Sequence, residues 1–177
     1  MKQYFALLAC LSLLVVAMPA KAAAPAQNTL IKGSLSTVYY YATNGKRYVF
    51  PTEKTYKSWY GEDYSKVITI SDKDLSEIPL GGNVTYRPGV KLVKITTDPK
   101  VYAVGAGGTL RWISTETLAS ALYGSNWAKN VDDLPDPFFV NYRYGTPISA
   151  TIDFEPTRET SSAYAIWIDK GFPAPTN

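Results

Sequence analysis

The sequence predicts an α+β fold of two tandem ββα-type repeats, each a β-hairpin plus short helices, sharing one core and followed by an extra C-terminal β-hairpin. Three observations lead there. A stretch occurs twice, Val38 to Gly61 (VYYYATNGKRYVFPTEKTYKSWYG) and Val101 to Gly124 (VYAVGAGGTLRWISTETLASALYG). At a constant offset of 63 positions Val38, Tyr39, Gly45, Thr52, Glu53, Tyr60 and Gly61 fall on Val101, Tyr102, Gly108, Thr115, Glu116, Tyr123 and Gly124. Roughly one or two identities are expected by chance, so the match reads as a tandem duplication. Each copy carries the same punctuation: β-rich run, turn residues, β-rich run, cap, short amphipathic helix. Beyond the second copy, Ser149 to Phe154 and Tyr164 to Asp169 alternate apolar and polar residues, the pattern of a hairpin.

Residues 1–22 read as a signal peptide, with Lys2 at the basic start, Tyr4 to Met18 as the apolar run and Ala20-Lys21-Ala22 as the cleavage site. The run is short for a membrane span, and small residues rather than a basic flank follow it, so no span is expected after cleavage. Leu7-Leu8-Ala9-Cys10 looks like a lipoprotein box, but little apolar sequence precedes Cys10 and much follows it. Residues 23–29 form a small polar lead expected to be mobile. Repeat 1 then spans 30–89 and repeat 2 spans 90–147.

Leu30-Ile31-Lys32 opens the first repeat as a short strand, and Leu92-Val93-Lys94 opens the second. The connector Ile95 to Lys100 is one residue longer than Gly33 to Thr37 and contains the turn former Asp98-Pro99. Thr43-Asn44-Gly45 and Gly107-Gly108 supply residues that tolerate positive φ, so Val38 to Tyr41 pairs with Lys46 to Phe50, and Val101 onward with Thr109 to Ile113. Two registers stay open: the constant offset places Tyr48 on Arg111, and a one-residue slip places Arg47-Tyr48-Val49 on Arg111-Trp112-Ile113.

Thr52, and Ser114 or Thr115, are candidate N-caps, with Glu53 and Glu116 in the first helical turn. Tyr56, Trp59 and Tyr60, like Ala119, Leu122 and Tyr123, stand at i, i+3 and i+4, and Gly61 and Gly124 close the helices. Ser71-Asp72-Lys73-Asp74 starts a further helix that ends at Ile78-Pro79, with Trp127 to Leu134 and its Pro135-Asp136-Pro137 turn as the looser counterpart. Tyr86-Arg87-Pro88-Gly89 resembles Tyr142-Arg143-Tyr144-Gly145, which extends the repeat to 145. The C-terminal hairpin covers 148–171, and the Pro-rich tail 172–177 is expected to fray.

The phrases Asn44-Gly45-Lys46-Arg47-Tyr48-Val49-Phe50-Pro51, Gly82-Asn83-Val84-Thr85-Tyr86-Arg87-Pro88-Gly89 and Lys94-Ile95-Thr96-Thr97-Asp98-Pro99-Lys100-Val101-Tyr102-Ala103-Val104 resemble a family of exported, repeat-containing bacterial proteins. The resemblance covers nearly the whole chain after the leader. It implies an envelope or extracellular setting in a bacterium and supplies no catalytic or binding residue.

Composition narrows the chemistry. There is no His, and Cys10, the one cysteine, leaves with the leader, so neither imidazole, thiolate nor disulfide is available after cleavage. Without Lys2 and Lys21 the 18 basic residues become 16 against 15 acidic ones, scattered along the chain. That balance gives no electrostatic reason to expect nucleic acid or an anionic membrane as partner. No metal and no cofactor is expected.

The 14 Tyr, 4 Trp and 6 Phe are the strongest functional signal, because a flat ring with a polar edge suits both sugar stacking and interface anchoring. The plainer explanation, an aromatic core, is assigned to Tyr39, Tyr60, Tyr102 and Tyr123, which both copies share. Tyr40, Tyr48, Trp112 and Trp127 are the candidates for an exposed binding platform. Glu53 with Glu116, or Asp132 with Asp133, are the carboxylate pairs a glycoside hydrolase would need, and each has a structural explanation as a first-turn or turn residue. Asp132, Asp133 and Asp136 lack any calcium-loop spacing, and Asn83-Val84-Thr85 is a sequon that a bacterial chain would ordinarily ignore. The expectation is a secreted or cell-surface, non-catalytic binding module for polysaccharide or a surface protein. A self-associating structural component of the envelope is the alternative, and a carboxylate-based glycoside hydrolase the remote one.

Overall fold

The computed structural model describes residues 25–175; the expected leader, with Cys10, lies outside them. Strands β1 (Thr29–Lys32), β2 (Tyr39–Tyr41) and β3 (Arg47–Val49) form an antiparallel meander. Helix α1 (Glu53–Tyr60), strand β4 (Val67–Thr69), helix α2 (Asp72–Glu77) and strand β5 (Leu80–Asn83) follow. β4 returns parallel to β1 and β5 parallel to β3, which makes the sheet order β4-β1-β2-β3-β5.

The second half runs β6 (Leu92–Ile95), β7 (Tyr102–Gly105), β8 (Thr109–Trp112), α3 (Glu116–Tyr123), β9 (Val131–Leu134), α4 (Asp136–Phe139) and β10 (Arg143–Tyr144). Its order, read in the same sense, is β9-β6-β7-β8-β10, again with antiparallel centre and parallel flanks. The protein is therefore α+β, with two five-stranded mixed sheets of the same strand order. Among the described residues no helix is long and apolar enough to cross a membrane.

The register follows the constant offset. Tyr39 faces Val49 and Tyr40 faces Tyr48, while Tyr102 faces Trp112 and Ala103 faces Arg111. Gly45 at φ +77° and Gly107 and Gly108 at φ +64° and +71° hold the turns that fix this pairing. One similarity read from sequence is not a structural equivalence. The Val84 N–H donates to Val49 O, and the Ile148 N–H to Trp112 O, both at 2.8 Å. Val84 thus corresponds to Ile148, and Tyr142 to Gly145 contains β10, the counterpart of β5, whereas Tyr86 to Gly89 lies beyond β5.

Buried apolar residues form three groups. Leu30, Tyr40, Phe50, Tyr56, Trp59 and Val84 lie between the first sheet and α1. Their counterparts Leu92, Ala103, Ile113, Ala119 and Ile148 lie between the second sheet and α3, where Phe154 restores volume lost at the alanines. Val93, Tyr102, Val104, Leu110 and Leu134 cover the second sheet's other face and take Tyr86 from the linker. The halves also meet through polar contacts: Asn83 Nδ2 to Asn141 Oδ1 at 3.0 Å, Tyr86 N–H to Tyr142 Oη at 3.0 Å, and Lys54 with Asp132 at 2.8 Å.

The C-terminal β-hairpin expected over 148–171 is absent, and this span is helical. A 3₁₀ turn (Thr151–Asp153) leads to α5 (Pro156–Ser162) and α6 (Ile166–Asp169). Asp153 accepts the Ser149 and Ala150 N–H groups at 2.9 and 2.8 Å, and Glu155 accepts those of Thr157 and Arg158 at 3.1 and 2.8 Å. These side chains claim donors that a ladder would need, and Pro156 at the first helical position presets a helical φ. The apparent alternation falls on the turn between α5 and α6, where Ala163 caps one helix, Ile166 opens the next, and both are buried. The tail does not fray at its start either: Phe172 packs on Tyr48 at 5.2 Å, and Pro173 O accepts from Thr43 Oγ1 at 2.8 Å.

This segment ties the two hairpins together. Ala163 and Ile166 complete the core of the first half, with Trp167 and Phe172 packed against it. The Arg87 guanidinium donates to Ala163 O at 3.1 Å and Thr160 O at 3.2 Å, while its carbon lies 5.7 Å from the centroid of the Trp59 ring. On the other side Glu159 accepts the Ala106 N–H at 3.1 Å, and Asp169 accepts that of Gly107 at 2.7 Å.

Gly89, at φ +75°, is pressed against this segment, and a Cβ there would run into the Pro156 carbonyl. Gly89→Ala is expected to lower stability by at least about 2 kcal/mol in urea denaturation, from strain and displacement of α5 together. A second expectation concerns alkali. Burial holds the Tyr56, Tyr60 and Tyr102 phenols up to about 12, above their ordinary value of about 10. The folded chain retains protons that the unfolded chain loses, so this stabilisation is complete below about pH 10 and declines as pH rises toward 12. Phenolate absorbance should rise together with loss of tertiary signal above pH 10; ionisation of all tyrosines at 10 with the fold intact would contradict it.

Candidate functional site

Two grooves occupy the same place in the two halves. In each, the connector between the first two strands, the end of the third strand and the first turn of the following helix surround an open cleft. Ser36, Thr37, Val38, Val49, Phe50, Pro51, Thr52, Glu53, Tyr56 and Tyr64 line the first, with Phe138 reaching in from α4. Pro99, Lys100, Val101, Trp112, Ile113, Ser114, Thr115, Glu116, Ala119 and Trp127 line the second. Every one of the second set lies 63 positions after a member of the first. The volumes are 580 and 310 Å³.

The polar edge of each groove is a helix start. Thr52 Oγ1 accepts the Thr55 N–H at 3.1 Å and Thr115 Oγ1 that of Leu118 at 3.2 Å, so Thr115 rather than Ser114 is the cap. Glu53 and Glu116 then stand at the groove edge in the first turn. In the first groove Lys57 holds Glu53 at 2.8 Å, and this hydrogen-bonded ammonium lowers the Glu53 pKa. A general acid needs the opposite shift. The floor is apolar: Tyr56 and Tyr64 stack with centroids 4.4 Å apart and planes 7° from parallel. In the second groove the equivalent pair is Ala119 and Trp127, and Trp112 replaces Val49, with the Lys100 ammonium 5.5 Å from its ring centroid.

The candidates named from sequence separate into two sets. Trp112 and Trp127 are half-buried and share the second groove. Tyr40 and Tyr48 are not part of an exposed platform, being 2% and 7% accessible. Both point into the core of the first half because they face each other across β2 and β3 on the side that α1 covers. Tyr40 Oη donates to Asn28 Oδ1 at 2.7 Å, and the Tyr48 hydroxyl accepts from Asn44 Nδ2 at 2.8 Å, so each ring meets its polar need locally. Glu53 and Glu116 stand in different grooves. Asp132 pairs with Lys54 at 2.8 Å and Asp133 with Lys94 at 3.0 Å, so neighbouring carboxylates on β9 are held apart by different lysines. Among the described residues no three His, Cys, Asp or Glu side chains gather to hold a metal ion.

Sequence reasoning missed Tyr64, Phe138 and Lys100 as groove residues. Tyr64 was within reach, because subtracting the repeat offset from Trp127 lands on it. Phe138 was not, since it arrives from the other half. Comparison with family models, with characterised proteins and with solved structures finds no match.

The caps that shape the grooves are expected to differ in weight. Thr115→Ala should cost about 1 kcal/mol of stability, the ordinary worth of an N-cap. Thr52→Ala should cost more, because the fully buried Thr55 loses its hydroxyl partner at 2.9 Å as well. Urea midpoints of the two variants check the order.

Proposed function

We propose that the protein is an exported, non-catalytic binding module of the bacterial cell surface whose paired grooves hold an extended polysaccharide. The reading treats the two halves as copies of one module. One observation carries it: the ten lining positions of one groove recur at a fixed spacing in the other, while the aromatic residues within them change place. A polymer of repeating units is a natural occupant of repeated sites, and engaging both raises the overall affinity without new contacts. Each groove combines aromatic rings with a carboxylate and a threonine hydroxyl, which suits a sugar ring that stacks on one face and hydrogen-bonds at its rim.

Self-association is the second reading, favoured by the open sheet edges. Edge strands β4 and β5 expose Ile68 and Leu80, and an unpaired edge can accept another strand.

Sedimentation of the protein with isolated cell-wall polysaccharide tests the first reading. Trp112→Ala and Trp127→Ala are each expected to weaken binding about tenfold, since stacking of a ring is worth on the order of 1 kcal/mol or more. Tyr64→Ala should weaken it less, because Phe50 and Phe138 remain in its groove. Unchanged binding in the double tryptophan variant would remove the grooves from consideration, and concentration-dependent assembly without polysaccharide binding would favour the edges.

A further inference from the structure

A third cavity, of 550 Å³, opens where the C-terminal segment crosses between the halves. Its character differs from that of the grooves, because three charged side chains face it. Arg143, on β10, donates from Nε to Thr109 Oγ1 at 3.1 Å, and its two terminal nitrogens have no hydrogen-bond partner among the described residues. Lys170 is half-buried, donates to Asn83 O at 2.9 Å and lies 4.8 Å from the centroid of the Tyr48 ring. Asp169, also half-buried, is engaged by the Gly107 N–H at 2.7 Å and forms no ion pair within 4.0 Å among the described residues. The nearby Glu159 carboxylate lies outside the lining and takes the Ala106 N–H at 3.1 Å.

Two cations against one carboxylate leave the lining with a charge of +1, Lys170 and Asp169 being half-buried and Arg143 standing exposed at the mouth. Burial works against both inner charges, lowering the Lys170 pKa and raising that of Asp169. Asp169 lies near enough for the Arg143 charge to act on it but makes no direct ion pair with it. The terminal nitrogens of the fork, whose geometry matches two oxygens in one plane, therefore stay without a partner among the described residues. Gly107 makes room for the guanidinium itself, since a Cβ there would stand 2.8 Å from Arg143 Nη2. A phosphate dianion would overshoot the charge and meet Asp169, whereas a single carboxylate balances it. Tyr48 and Phe172 add an aromatic wall beside the charged groups.

We propose that this cavity binds a small carboxylate ligand, either a uronic acid or a simple organic acid, with the Arg143 fork on its two oxygens and Lys170 beside them. The site is independent of the grooves in residues and chemistry. Amide spectra of the ¹⁵N-labelled protein titrated with D-galacturonate, with D-galactose and with acetate test it. Shifts at Gly107, Lys170 and Gly171 are expected with galacturonate and not with galactose. Matching shifts with acetate identify the carboxylate alone as sufficient; their absence identifies the acidic sugar.

Arg143→Gln is expected to weaken galacturonate binding at least about tenfold, the loss of a charge-assisted pair, and Lys170→Gln to weaken it as well. Arg143→Lys keeps the charge without the fork and should bind between the two. Trp112→Ala should leave these shifts unchanged, which separates this site from the polysaccharide reading. Equal shifts with galactose, no shifts with any probe, or full binding by Arg143→Gln in a protein whose remaining amide signals are unmoved would overturn the proposal.

Discussion

The structure depends on the guanidinium of Arg87. It stands in the linker between the two sheets, has Trp59 of α1 beside it, and donates to two carbonyls of the C-terminal segment. A flexible ammonium has no planar fork with which to hold two carbonyls. Among the described residues there is no cysteine, so no covalent link assists. Strands of two to four residues give each sheet little pairing of its own, and small sheets are stable only when a face is covered. Arg87 is where the segment that completes the first core, from Ala163 through α6, is fastened.

The halves show how one framework accepts two different fillings. Tyr40, Tyr56 and Trp59 in the first correspond to Ala103, Ala119 and Leu122 in the second. Smaller residues at those positions would leave holes costing several kcal/mol if nothing else filled the space. Phe154 enters the second core from outside the repeat, and Trp127 takes the place of Tyr64 beside the shortened position. The backbone order survives because the caps, the hairpin glycines and the register are the same in both halves. The side-chain volumes differ between the halves, and so do the groove volumes.

Much of this was legible in the chain itself. The offset of 63 positions placed the hairpins, caps, helices and closing glycines, since these rest on local rules about φ, capping and periodicity. The parallel flanks β4, β5, β9 and β10 were not visible, because a parallel partner is chosen by tertiary packing across a long connection. The C-terminal helices were misread because two short alternating runs fit a strand as well as a helical turn, and only the hydrogen bonds made by Asp153 and Glu155 distinguish them. Tyr40 and Tyr48 were misplaced for a related reason. Tyr40 has Ala103 and Tyr48 has Arg111 at the 63-residue offset, and a position that differs between the two stretches can still be core in one of them, as both are here. Trp112 and Trp127 fell together because the end of β8 and the turn after α3 border one groove.

The covering of the first half by residues 163–172 also fixes an order of events. A chain leaves the ribosome from its N-terminus, so the hairpin of Tyr40 and Tyr48 emerges long before Ala163, Ile166, Trp167 and Phe172 can reach it. Until then its aromatic side is covered by α1 alone. The core of the earlier-made half is thus complete only once the last-made segment has been added, so a chain cut short before Ala163 would lack part of it.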